Sequence, residues 1–246
     1  MTSIFKDMTT QGLEESQDRL GGFAPIDTDI YEVAIKNLFA GKSAQGANCL
    51  TLIAQLPGSD KEYKETIYFT NKKGENFFIN KNDDKKKSPL PGFTTVNDIC
   101  LIATGKELTD QETEEKVVNI YDPDSKKELP KSVPVLTECI GQKIALGIVR
   151  ALENKEVKNA AGEYEPTAEE RENNFIDKVF HPEMKVTVVE ARQGKKTGEF
   201  WDAWLKRNKG QVRDRRSFKG DKSGAPPKAG AKGAVPTAPK KSLFGK

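Results

Sequence analysis

Between Glu62 and Lys87 aromatic and basic residues are interleaved in a pattern that suits a polyanion carrying stackable rings. The stretch Glu62 to Thr70 alternates, which predicts a strand with Tyr63, Ile67 and Phe69 toward a core and Lys64, Thr66, Tyr68 and Thr70 on the opposite face. Asn71-Lys72-Lys73-Gly74 has the residue types of a turn, and Glu75 to Asn80 then reads as the returning strand of a hairpin, with Phe77 and Ile79 inward and Asn76, Phe78 and Asn80 outward. On this reading Tyr68 and Phe78 share one polar face with Lys64, flanked by Lys72 and Lys73 and by Lys81, Lys85, Lys86 and Lys87 beyond. Lysines can follow phosphates while aromatic faces accept bases, each stack being worth roughly 1–3 kcal/mol. The same spacing also fits aromatics that merely cover a barrel beside an ordinary exposed lysine loop.

Other chemistries fare worse. Gly41-Lys42-Ser43 has the end of a phosphate-binding loop, but the glycine required five residues earlier is replaced by Lys36, so the nest of backbone N–H groups cannot form. The single histidine, His181, precedes a proline and has no serine or cysteine partner in a recognisable motif, which makes it a turn residue before a catalytic base. The carboxylates from Glu163 to Glu172 read as a solvated acidic run. Cys49, Cys100 and Cys139 stand far apart in apolar sequence without a CxxC pair, as reduced core cysteines do. The expectation is therefore a protein with no catalytic residues, no metal and no cofactor.

The elements that must position the aromatic–lysine face are short strands. Ile30 to Phe39 alternates, with Tyr31, Val33, Ile35 and Phe39 on one face, and Cys49 to Leu56 gives a second strand before Pro57-Gly58. Phe93 to Gly105 has helical spacing at Phe93, Val96, Ile99, Cys100 and Ala103, with Thr95 and Asp98 as a capping box. Lys116 to Tyr121 predicts a short strand, and Val133 to Ile140 a helical turn ended by Gly141. Lys143 to Leu152 and the β-branched Met184 to Ala191 read as central strands, separated by a polar hairpin excursion from Glu153 to Asn174. Thr197 to Gly210 carries Phe200, Trp201, Trp204 and Leu205 at helical spacing with basic residues at its end, as an amphipathic helix would. The fold class expected is mainly β with short helices: a five-stranded, oligonucleotide-binding (OB)-like barrel with elaborated hairpins.

Charge is distributed unevenly. Residues 207–246 hold 12 Lys and Arg against 2 Asp and Glu, which leaves 28 against 35 in residues 1–206, so a body of −7 carries an end of +10. From Gln211 onward Lys, Gly, Ala and Pro dominate, which predicts a disordered basic tail. The expected layout is an N-terminal arm over 1–24, partly ordered, a folded domain over 25–210, and a tail over 211–246. In the tail Arg213, Arg215 and Arg216 would add phosphate contacts, and Leu243 with Phe244 would form an anchor for a protein partner. No run of about 18 apolar residues is present, and residues 1–19 resemble neither a secretory nor a transit segment.

Several longer strings carry a resemblance: YKETIYFTNKKGENFF (Tyr63 to Phe78), PGFTTVNDIC (Pro91 to Cys100), ETEEKVVNIYD (Glu112 to Asp122), NAAGEYEPT (Asn159 to Thr167), VFHPEMKVTVVEAR (Val179 to Arg192) and the terminal KSLFG. Through them nearly the whole chain resembles the single-stranded-DNA-binding proteins of lytic podophages. The resemblance implies an OB-like fold, no catalysis, and a role in phage replication and recombination that extends to phage or host transcription, in the cytoplasm of the infected bacterial host. It implies single-stranded DNA as ligand and phage replication proteins or an RNA polymerase as partners. It fixes no binding residue individually, and it departs from family members with acidic tails, since this tail is basic. Two alternatives stand beside it: a protein-recruiting adaptor, which the acidic body favours, and an RNA binder, since stacking and phosphate contact do not distinguish ribose from deoxyribose.

Overall fold

The computed structural model describes residues 25–80, 83–122, 125–159 and 164–217. The arm over 1–24, Lys81, the side chain of Lys85, and Leu243 and Phe244 with all residues from 218 on lie outside the described residues. The chain is mainly β, with one large and almost wholly antiparallel sheet and few helices. Strands β1 (Asp29–Lys42), β2 (Asn48–Gln55) and β3 (Glu62–Tyr68) form a meander. The first half of β1 pairs instead with β8 (Lys143–Lys158), whose other edge carries β9 (Tyr164–Phe180), so the main path runs β9-β8-β1-β2-β3.

A bulge in β1 between Ile35 and Asn37 reverses its side-chain phase. Val33 and Ile35 face the main core, but beyond the bulge Leu38 takes that role and Phe39 turns to the other face, correcting the uniform alternation expected for this strand. The bulge lets one strand bend from β8 toward β2. Tyr63 and Ile67 of β3 and Ile176 and Val179 of β9 consequently enter the same buried cluster as helix α1 (Pro91–Thr104). The outer strands meet directly, where the Glu65 carboxylate accepts the Ile176 backbone N–H at 2.8 Å.

A second cluster lies on the outer face of β8 and β9. Ala145, Val149 and Phe180 are covered by Trp201 and Trp204 of helix α3 (Glu199–Asn208). Gly147 permits this approach, since a Cβ there would lie 3.1 Å from the Trp204 ring. Trp204 Nε1 donates to Asp177 at 2.7 Å, which satisfies the one polar atom of a buried indole.

Four further expectations are corrected. Met184 to Ala191 contains no strand: Thr187 and Glu190 form a reciprocal capping box and start helix α2 (Val188–Arg192), a local signal that outweighs the β-branched pair between them. Helix α1 starts at Pro91 with Leu90 as N-cap, and its anticipated Thr95–Asp98 box is not used. The first half of the segment read as a helical turn before Gly141 belongs to a strand and its exit. Strand β7 (Lys127–Val135) pairs with β6 (Glu114–Asp122), and only Thr137–Cys139 is a 3-10 turn.

Finally, residues 211–217 belong to the folded body. Strand β10 (Val212–Asp214) pairs parallel to β8 and extends the place of β1 along it. Buried Thr28 secures the junction: its hydroxyl donates to the Gln211 carbonyl and accepts the Arg150 N–H, and its carbonyl accepts the Gly210 N–H at 2.8 Å.

Candidate nucleic-acid interface

Strand β3 presents Lys64, Thr66 and Tyr68 outward while Tyr63 and Ile67 are buried, as the alternation requires. Tyr68 is 52% exposed even though its backbone is confined: the start of α1 lies so close that a Cβ at Gly92 would fall 2.0 Å from the Tyr68 carbonyl oxygen. Thr66 shares a hydroxyl hydrogen bond of 2.9 Å with Thr51 of β2, which ties the outer faces of the two strands. Thr70, expected outward, is buried, and its hydroxyl accepts the Asn48 N–H at 2.8 Å.

The Asn71–Gly74 turn exists, but it does not join a hairpin. Asn71 Oδ1 accepts the N–H groups of Lys73 and Glu75 at 2.9 and 3.0 Å, and Gly74 supplies the left-handed residue with φ +82°. This leaves Lys72 and Lys73 exposed beyond the end of β3. The chain beyond does not return along β3. Strand β4 (Phe77–Asn80) pairs with β5 (Asp83–Pro89) in a separate two-stranded sheet, correcting the expected β3–β4 pairing. Turn-forming residue types around Asn80 and Asp83 were the available signal for this second hairpin.

Tyr68 and Phe78 therefore stand on neighbouring elements instead of one hairpin face. Phe78 is 50% exposed opposite Ser88, whereas Lys87 stacks its ammonium over Phe77 at 4.2 Å. Ile79, expected inward, is exposed, because this arm has no core beneath it. Lys86 is exposed on the same arm. Among the described residues, Lys64, Lys72, Lys73, Lys86 and Lys87 form no salt bridge.

The second predicted group behaves differently. Arg213 pairs with Asp177 at 2.7 Å, Arg215 with Glu153 at 3.3 Å, and Arg216 with Glu170 and with Asp214, the latter at 2.6 Å. The guanidinium groups of Arg213 and Arg215 also lie 5.4 and 4.5 Å from the Phe175 ring centre. These arginines serve the β8–β9–β10 junction and are not brought together with the lysines of β3 to β5. Sequence inspection overlooked Asp177, which receives both Trp204 and Arg213 and so joins α3, β9 and β10.

Burial raises the pKa of two carboxyls. Burial pushes Asp98 up to about 6 although Lys178 and Arg192 pull it down. Burial likewise raises Glu65, opposed by its hydrogen bonds from the Tyr63 hydroxyl at 2.6 Å and the Ile176 N–H. His181 completes a turn, its Nδ1 accepting the N–H groups of Glu183 and Met184 at 3.3 and 3.2 Å, and burial lowers its pKa. Gly41 and Lys42 are the last residues of β1 and Ser43 Oγ accepts the Ala47 N–H at 3.0 Å, a turn and not a phosphate loop. Among the described residues no group of three His, Cys, Asp or Glu side chains is placed to hold a metal, and no helix is long and apolar enough to cross a membrane. No protein-family model and no curated protein matches the chain.

Proposed function

We propose that this chain is a single-stranded-DNA-binding protein on an OB-type barrel that coats strands with little sequence preference, serving phage replication and recombination in the infected bacterial cell. The topology supports the fold reading. A three-strand meander, a helix, and a long hairpin whose first strand returns to β1 while its second meets β3 follow the connectivity of a five-stranded Greek-key barrel. In such barrels the face of the second and third strands, with their loops, takes oligonucleotides. Here that face is β2–β3, inside the interrupted meander that carries Tyr68.

The observation that carries the reading is the half-exposed pair Tyr68 and Phe78 on a stretch whose Lys64, Lys72, Lys73 and Lys86 have no carboxylate partner among the described residues. A base can stack on each ring, and Lys64, Lys72, Lys73 and Lys86 can meet the phosphates between them. Rings and ammonium groups select no particular base, which accounts for sequence indifference. Duplex DNA buries its base faces, so the same interface discriminates against it. The basic residues beyond Ser217 add further phosphate contacts, and Leu243 with Phe244 anchors a replication protein or RNA polymerase.

The test is fluorescence anisotropy of an end-labelled single strand and of the same sequence as duplex, titrated with the full chain at moderate salt. Trp201 and Trp204 are buried between α3 and the β8–β9 face in a cluster that contains no β3 residue, so the label belongs on the DNA. The reading predicts tight single-strand binding and much weaker duplex binding. Equal affinities would overturn it, and no binding to either would favour a protein-recruiting adaptor.

A further inference from the structure

At the end of the barrel beside Lys72 and Lys73 lies a cavity of about 420 Å³. Its volume falls in the range of small-molecule sites, roughly 300–1,000 Å³. Its walls include Phe69, Phe93, Leu108 and Leu136, and Gly74 of the lysine-bearing turn borders it. Polar groups enter at Asn48 and Asn76. Among the described residues no hydrogen bond engages either side-chain amide, although the backbone of both residues is used: Phe69 N–H donates to the Asn48 carbonyl at 3.1 Å and Leu90 N–H to the Asn76 carbonyl at 2.9 Å. By contrast the amide of Gln111, also in the lining, is committed, its Nε2 donating to Thr104 Oγ1 at 2.8 Å and to the Lys106 carbonyl at 3.1 Å.

Two aromatic walls, two uncommitted amides and a rim with unpaired ammonium groups specify a flat heterocycle with donors and acceptors on its edge, attached to an anion. We propose that this cavity receives one unstacked nucleobase of the bound strand, held between Phe69 and Phe93 and hydrogen-bonded by Asn48 and Asn76. The inference rests on the reading of the chain as a single-strand binder and adds a site distinct from the Tyr68–Phe78 platform. An amide offers both a donor and an acceptor, so the pocket takes the edge of any base without choosing among them. The strand's phosphates remain outside against Lys72 and Lys73. Taking one base out of the strand's own stack gives the complex a fixed point that a purely flat platform lacks.

The experiment uses proton–nitrogen correlation spectra of the isotope-labelled full chain with a saturating short single-stranded DNA oligomer, and then with an abasic oligomer of equal length. The expected result is that the side-chain amide signals of Asn48 and Asn76 shift with the first and not with the second. Thr113, exposed on the rim, allows a filling variant that leaves the core intact. Thr113→Trp should weaken binding of the base-bearing oligomer roughly tenfold, the scale of one lost base contact, and leave abasic binding unchanged. The pocket assignment is overturned if the β3 backbone signals shift while both amides stay still, or if Thr113→Trp binds the oligomer as the wild type does; single-strand binding itself would survive either result. If no signal shifts with either oligomer, the binding reading falls and the pocket with it.

Discussion

Tyr68 and Phe78 are each about half exposed without a core to cover, so each can lose its ring at little cost to folding. We predict that Tyr68→Ala and Phe78→Ala each weaken single-strand binding by roughly 1–3 kcal/mol. The check is affinity measured beside the melting temperature: a melting point that falls with the affinity would make the rings packing residues. Asp98 supports a second expectation. Its carboxyl titrates at about 6 in the folded chain against an ordinary value of 3.8, so between these values the folded chain binds the extra proton. Its contribution to stability is therefore greatest below about pH 4, falls as pH rises toward 6, and stays lost above. Asp98→Asn should remove that fall and add up to about 3 kcal/mol at pH 7, read as the difference between denaturant curves of variant and wild type across this range. A variant less stable at neutral pH would show that Lys178 and Arg192 outweigh burial.

At the scale of elements, what could be read ahead depended on whether the deciding interaction was local. Strands β1 and β3 and helix α3 were legible from their apolar periodicity, β2 from the Pro57-Gly58 turn that closes it, and β8 as far as Leu152 from a run that is apolar on both faces. The course of β4 was not legible, since Asn71–Gly74 makes the same turn whether or not a hairpin follows, and pairing with β5 is a contest between two partners. Strand β7 was hidden by Pro130 and Pro134 and by its charges, which are tolerated because it lies outside the main path of the sheet. The lysine half of the candidate site was readable from composition. The arginine half was not, because its meaning depends on Asp177, Glu153 and Glu170, distant in sequence. The expected consequence is that Arg213→Ala affects stability more than DNA affinity, since it leaves Asp177 short of a partner while the β3 to β5 lysines are untouched. Thermal melts beside anisotropy decide this; a large affinity loss with an unchanged melting point would return Arg213 to the binding surface. Trp204→Ala, which empties the buried contact above Gly147, should cost about 3–5 kcal/mol in the same melts.

At the scale of the whole molecule, the proposed function requires an acidic body to hold a polyanion. Among the described residues the acids are paired where the arginines lie, while Lys64, Lys72, Lys73 and Lys86 form no salt bridge, so on the proposed reading these lysines set the local field at the interface. Residues after Ser217 contain seven lysines against one aspartate, so their removal should weaken binding and flatten its salt dependence without unfolding the β-sheet body. Tighter binding by the truncated chain would make that segment an inhibitor instead.

The most direct test of the interface is the salt slope of single-strand affinity for a variant with Lys64, Lys72, Lys73 and Lys86 all changed to Ala, compared with the wild type. Each phosphate contact removed should lower the log–log slope by about 0.7. The account predicts weaker binding and a slope reduced by roughly 2–3 with the fold retained. A slope and an affinity equal to those of the wild type would contradict it, and would place the nucleic acid on another surface or on none.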